Sequence, residues 1–493
     1  MASSTGSSKP SCVTRPRSSF WRLLLACLAL TGALGLSGCA TLTDFENSQE
    51  YALDGVGSLA EGYPLGQTLV ARRPGWNGIT LWLRPADQPF PETAAVIVEL
   101  LPAPQQAQPL ASTRVAFTTL AGQYPVTIAL PPQPGPPGRA FFLRLRAEGG
   151  VAWVYGRNED AYPFGQAYQG DQPLQADLAF RLSYAYTAQT LLEDLVASLP
   201  GWGLALPLGI LLLAPGWLAL YGLGLHRGRD PALLAGLSLG VSLSFTPLLM
   251  LWTSQPGLDW SRPAVLAAGV ILGLAAAWTL WRTGRETPPA EAPPPGLASR
   301  LGSPAVLLLG VFIFVLATRL VMTRDLSAPA WVDSVHHTLI ARLIIEGGGL
   351  PASYAPYAQT EAFRYHAGFH SLLAAFHWLS GMELSQALLL LGQALNALSV
   401  PAVYLFTVAL IPERRAGLFA AVIAGMFTPM PAYYTSWGRY TQLAGLLILP
   451  AALYCLRQLQ ADWTEPRLRL RWTILSAACL SGVFLIHYRV LAF

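Results

Sequence analysis

Residues with chemistry in them crowd into one stretch of this chain. Five of the seven histidines (His336, His337, His366, His370 and His377) lie between Asp325 and Trp378, together with the acid Asp333. His336 and His337 follow Asp333 by three and four residues, one helical turn from its carboxylate. His366 and His370 are themselves four apart. A carboxylate beside imidazoles has two obvious uses. It can take a proton from a hydroxyl as a general base, or it can join the rings in holding a divalent metal. The metal is the weaker alternative, because there is no His-Glu-x-x-His pattern and no cysteine nearby, and no cofactor is firmly expected. A third reading is a polar helix face without chemistry, which suits His377 best.

The elements around the stretch set its location. Residues 333–345 have helical periodicity, with Val335, Leu339 and Leu343 on one stripe, Asp333 as the cap and Gly347–Gly349 as the stop. In residues 366–379, Phe369, Leu372, Phe376 and Leu379 form an apolar stripe, and His366, His370 and His377 take another face. Two short amphipathic helices lying along a membrane surface are expected. The membrane is implied by composition: 53% of the 493 residues are hydrophobic and 12% charged. Residues 202–225, 231–252, 263–281, 303–322, 384–411, 416–429, 443–458 and 472–487 are read as spans. Alternate loops are rich in arginine: Arg227 and Arg229, then Arg282, Arg285 and Arg300, then Arg414 and Arg415, then Arg467, Arg469 and Arg471. That bias marks the inner side, so the histidine stretch faces outward. The net charge of +4 is therefore a topology signal, and no nucleic-acid partner is expected.

The N-terminal part differs. Arg15, Arg17 and Arg22 precede an apolar run at residues 23–34 that ends in Leu36-Ser37-Gly38-Cys39. This has the form of an export signal with a lipobox, Cys39 being the residue lipidated. Residues 40–190 carry short alternating runs between Pro/Gly turns, at 78–83, 94–100, 124–130, 140–146, 151–155 and 178–186. About eight strands in a β-sandwich or jelly roll are expected there. Trp76, Trp82 and Trp153 are candidates to stack on a sugar, and most of them are expected in the core. The whole reads as a polytopic α-helical membrane protein with an N-terminal all-β exported domain. Its parts are an export signal (1–39), the sandwich (40–190), accessory spans with a Pro-rich linker (191–302) and a second transmembrane module (303–493).

Three segments carry a family resemblance: Trp331-Val332-Asp333-Ser334-Val335-His336-His337, Tyr365-His366-Ala367-Gly368-Phe369-His370, and the run from Tyr433 to Tyr440. The first resembles the first external loop of the GT-C glycosyltransferases, the protein O-mannosyltransferases among them. Ser334 stands where those have a glutamate, and His337 where they have an aromatic residue. The resemblance covers residues 303–493. It implies an integral membrane glycosyltransferase of a bacterial cell membrane, with Asp333 as general base and a polyprenyl-phosphate sugar as donor. The acceptor would be a glycan, lipid or protein on the outer face. It further implies that His336, His337, Arg364, Tyr365, His366, His370, Trp437, Arg439 and Tyr440 line the substrate site, with Arg364 or Arg439 meeting the phosphate. Because GT-C enzymes continue with further spans, part of the site is expected beyond Phe493. The alternatives are a non-enzymatic glycan-binding envelope protein and a transporter, the latter disfavoured by how few ionisable residues lie within the spans.

Overall fold

The structure is a computed structural model that describes residues 41–86, 89–198, 202–285, 303–329, 331–359 and 362–492. The export signal, Cys39 and the Pro-rich linker lie outside the described residues. The chain divides into two compact units between Glu193 and Asp194.

The first unit is built of strands β1 (Thr41–Gln49), β2 (Asp54–Leu59), β3 (Leu65–Ala71), β4 (Trp76–Leu81), β5 (Leu83–Pro85), β6 (Ala95–Leu101), β7 (Ala111–Ala116), β8 (Val126–Gln133), β9 (Arg139–Glu148), β10 (Ala152–Arg157), β11 (Ala167–Gln169), β12 (Gln172–Pro173), β13 (Asp177–Leu178) and β14 (Phe180–Ala185). They form three sheets, ordered β1-β14-β4-β8, β13-β10-β2 with β5 also on β10, and β12-β11-β3-β9-β6-β7. The named ladders are all antiparallel. Leu65 and Leu145 from one sheet, Ile79 and Leu182 from another and Val154 from the third share a single hydrophobic core. In β9 the alternation works as expected: Leu143 and Leu145 are buried, while Arg144 and Arg146 face outward and both grip Glu99 of β6, at 2.8 and 3.0 Å. Trp76 is a core residue, its indole nitrogen donating to the Gly78 carbonyl at 2.7 Å.

The second unit is helical. Its elements are α1 (Ala205–Leu212), α2 (Ala214–Gly222), α3 (Pro231–Ser254), α4 (Arg262–Arg285), α5 (Pro304–Met322), α6 (Val332–Gly347), α7 (Gly368–Ser380), α8 (Leu384–Ala397), α9 (Ser399–Leu410), α10 (Arg414–Val422), α11 (Ala432–Ser436), α12 (Tyr440–Ala461) and α13 (Pro466–His487), with a π turn at Ile423–Phe427. Among the described residues seven helices are long and apolar enough to cross a membrane, or eight if the pair α1 and α2, bent by 41°, is one span. The span expected at residues 202–225 is thus broken, at Leu213. Most of α3 is buried, and it packs against α2, α7, α9, α12 and α13. Its start is firmly held. Asp230 caps it by accepting from the Ala232 amide at 3.0 Å, and also takes the Tyr404 hydroxyl at 3.0 Å and the Arg414 guanidinium at 3.1 Å. Leu211, Leu237, Leu372, Leu395 and Ile448 belong to one core, so helices before and after the Pro-rich linker pack together. By contrast α4 and α5 leave most of their apolar surface uncovered.

The two helices of the histidine stretch depart from the expected pattern. Helix α7 does not lie on a surface: from Gly368 through Phe376 every residue is buried, His370 included. Its histidine face is turned inward because α6 supplies a polar surface for it to meet. Helix α6 buries Ser334, His337, Ile340, Ala341 and Ile344, while Val335 is 72% exposed. The inward stripe keeps Leu343 of the Val335/Leu339/Leu343 stripe read from hydrophobicity but is otherwise offset from it, and it carries an imidazole. Asp333 is not the cap of α6. The cap position is Trp331, without a side-chain hydrogen bond, and Asp333 sits in the first turn. The stop is as expected: Gly348 ends the helix with φ +69°, and its carbonyl accepts from the Trp260 amide.

Candidate functional site

Trp331, just before α6, is the one non-glycine residue with positive φ among the described residues (84°). A bulky side chain in that conformation stores strain, of about 1–3 kcal/mol. Immediately after it, in the first helical turn, stands the Asp333 carboxylate, where a helix N-terminus favours negative charge. Arg439 comes to it from the segment that leads into α12. The guanidinium lies 3.5 Å from an Asp333 oxygen, with side-chain exposures of 43% and 39%. It also lies over the Trp437 ring at 4.6 Å. An ion pair this open is worth little as glue, but both charged groups remain reachable from outside the protein.

The residue between Trp437 and Arg439 sets the geometry. Gly438 has φ +66°, and a Cβ there would come 3.1 Å from the Asp333 Cβ and 3.4 Å from the Ser334 hydroxyl. Its buried carbonyl is met by His337 Nε2 at 2.9 Å, and His337 Nδ1 faces His370 Nε2 at 3.0 Å. A carbonyl only accepts, so His337 must carry its proton on Nε2. Its Nδ1 is then the acceptor and His370 Nε2–H the donor. The two neutral rings form an ordered chain that ends on the backbone beside Arg439. Burial keeps both neutral. It pushes His337 down to about 4 against the opposing Gly438 hydrogen bond, and moves His370 well below the usual imidazole range.

A second set of rings surrounds this chain. His336 stacks near Tyr354, with Nε2 3.2 Å from the hydroxyl, and meets the Tyr365 edge at 5.1 Å. Burial lowers it, with Asp333 opposing. Tyr365 stacks on His366 at 3.9 Å, and His366 meets His487 at 4.8 Å. Burial brings His366 to about 3 and raises the Tyr365 hydroxyl. Tyr440 packs flat on Phe369 and edge-on to His337. Arg364 is exposed and lines a cavity of about 330 Å³ with Tyr365, His366 and Tyr488.

Of the residues singled out from sequence, Asp333, His336, His337, Tyr365, His366, His370, Trp437, Arg439 and Tyr440 come together, linked by these contacts. Arg364 lies beside the group on the cavity wall, and Arg439 makes the contact with Asp333. His377 makes no ring contact with the others among the described residues. Sequence reasoning passed over Tyr354 and His487. Tyr354 lies in an irregular loop with no periodicity to flag it, and His487 looked like the end of a span. Among the described residues no three His, Cys, Asp or Glu side chains are grouped to hold a metal ion.

The chain belongs to a family of unknown function, DUF6541, whose profile matches residues 209–492, more than half of its length. The match takes in both the helices before the Pro-rich linker and the whole histidine site. No curated protein matches the chain.

Proposed function

We propose that this protein is an integral membrane glycosyltransferase of a bacterial cell membrane. In this reading it moves a sugar from a polyprenyl-phosphate donor to an acceptor on the outer face. The arginine-rich loops at Arg227, Arg414 and Arg467 lie inside, and the β unit, an exported sandwich, lies outside with the histidine site. The observation that carries the reading is the Asp333–Arg439 pair. A carboxylate and a guanidinium 3.5 Å apart, both half-exposed, offer a base and a phosphate-binding cation at one point. Each has its support: Asp333 the helix start, Arg439 the Trp437 ring and the backbone held by His337 and His370.

The step is a displacement at the anomeric carbon. The acceptor oxygen forms a bond to that carbon while its proton passes to the Asp333 carboxylate. The bond from carbon to phosphate oxygen breaks with inversion, and polyprenyl phosphate departs with the electron pair. Arg439 meets the charge that develops on it, and no nucleotide is needed. The test is transfer by the full chain in proteoliposomes supplied with polyprenyl-phosphate sugars, read as release of polyprenyl phosphate. Asp333→Asn is expected to slow it by about 100-fold or more. Full activity in that variant, correctly inserted, would refute the assignment.

A second reading has its own observation. On β10, Trp153 is 43% exposed, and Tyr155 beside it meets Tyr124, whose ring lies 3.8 Å from the Arg84 guanidinium. An open aromatic face of this kind suits a sugar ring, and supports a glycan-binding envelope protein anchored by its helices. Under that reading polysaccharide binding survives Asp333→Asn and is lost in Trp153→Ala.

A further inference from the structure

A second site lies away from the histidine stretch. Between α1, α2, α3 and α4 runs a crevice of about 970 Å³ walled by Leu206, Ile210, Leu213, Leu234, Ala277 and Leu280. Ligand pockets typically have volumes of about 300–1,000 Å³, and this one lies at the upper end. One end is different in character. There the loop from α2 to α3 brings His226, Arg227 and Arg229 to the wall, and no acidic side chain lines the crevice among the described residues.

His226 is the informative residue. It is 5% exposed, held flat against Tyr221 at 4.7 Å and edge-on to Trp217 at 5.8 Å, yet neither ring nitrogen has a hydrogen-bond partner. A buried polar group without a partner is destabilising, and native structures leave few. The neighbours do not relieve it. The Trp217 indole nitrogen is committed to the Thr279 hydroxyl at 2.9 Å, and Arg229 donates to the Leu225 carbonyl while lying over Trp472 at 5.1 Å. What is missing is a partner for the ring, above all an acceptor for its N–H, at an end of the apolar channel whose wall also includes Arg227 and Arg229. A phosphodiester with hydrocarbon chains has that chemistry.

We propose that this crevice is a binding site for one anionic phospholipid. Its phosphate accepts from His226 beside Arg227 and Arg229, and an acyl chain lies along the wall past Ala277. The site stands independently of the glycosyl-transfer reading. It is tested on the full purified chain by native mass spectrometry with phosphatidylglycerol and with diacylglycerol of the same chains. One phosphatidylglycerol per chain should be retained at least tenfold more tightly than diacylglycerol. His226→Phe keeps the ring packing and removes both nitrogens, and should weaken retention at least fivefold. Ala277→Trp, at an exposed wall position that does not threaten the fold, should do the same by occupying the channel. Retention unchanged in both variants, or diacylglycerol held as tightly, would overturn the site.

Discussion

His337 makes two demands on its surroundings, and each can be measured. Its Nε2–H donates to the Gly438 carbonyl and its Nδ1 accepts a hydrogen bond from His370 Nε2–H. In His337→Phe both partners are left buried and unpaired, at a cost of about 1–3 kcal/mol for each group. A fall in thermal stability of the detergent-solubilised chain checks this. The same burial makes stability depend on pH. Unfolded imidazoles take up protons near 6.5, whereas His337 and His366 in the fold are held down to about 4 and about 3. Their contribution is therefore complete above pH 6.5 and is lost as the pH falls towards 4. Melting followed from pH 7.5 to 4.5 should show that decline, and His337→Asn should make it shallower. At this scale the sequence singled out residues that the fold brings together but not their protonation. The tautomer of His337 depends on a carbonyl about a hundred residues away, which no local spacing encodes.

Two glycines position the elements that carry these residues. At Gly348, which closes α6, φ is +69° and an added Cβ would stand 2.7 Å from the Asp259 Cβ. Gly348→Ala is expected to destabilise the helical unit by about 1–3 kcal/mol, read as a lower melting temperature. Gly438 is the more telling position. A side chain there would press on Asp333 and on Ser334, with φ at +66°. Gly438→Ala should therefore cost more in transfer activity than in stability, because it moves Arg439 relative to Asp333. Equal losses in Gly438→Ala and Gly348→Ala would show that the segment is only structural. The stop at Gly347–Gly349 was legible, since a run of glycines has few other uses after an apolar-periodic stretch. The burial of α7 was not. Hydrophobic periodicity detects a helix face that avoids water, and α7 hides both faces, one against apolar neighbours and the other against the imidazole of α6.

At the level of the whole molecule, orientation is the open prediction. If the arginine-rich loops are inside, a membrane-impermeant maleimide should label Glu61→Cys in the β unit and Ala352→Cys in the histidine loop of intact cells. Arg467→Cys should be labelled only after permeabilisation. The two described cysteines, Cys455 and Cys479, are buried and should stay silent. The reverse pattern would invert the proposed topology. The layout itself, a β unit followed by apolar helices, could be read from the chain because it depends on composition and short-range period. Long uncharged runs have few alternatives to apolar helices, and strands alternating Leu143, Arg144, Leu145 and Arg146 must put one face inside. Which side chains meet is a different kind of fact. Asp333 and Arg439 are 106 positions apart, and His337 and His370 are 33. They are brought together by the packing of α6, α7 and α12, whose choice among partners rests on small steric differences such as the missing Cβ of Gly438. Sequence alone determined the classes of element and the cast of residues. Tertiary structure decided the pairing, because contacts between distant segments are fixed only when the whole core closes.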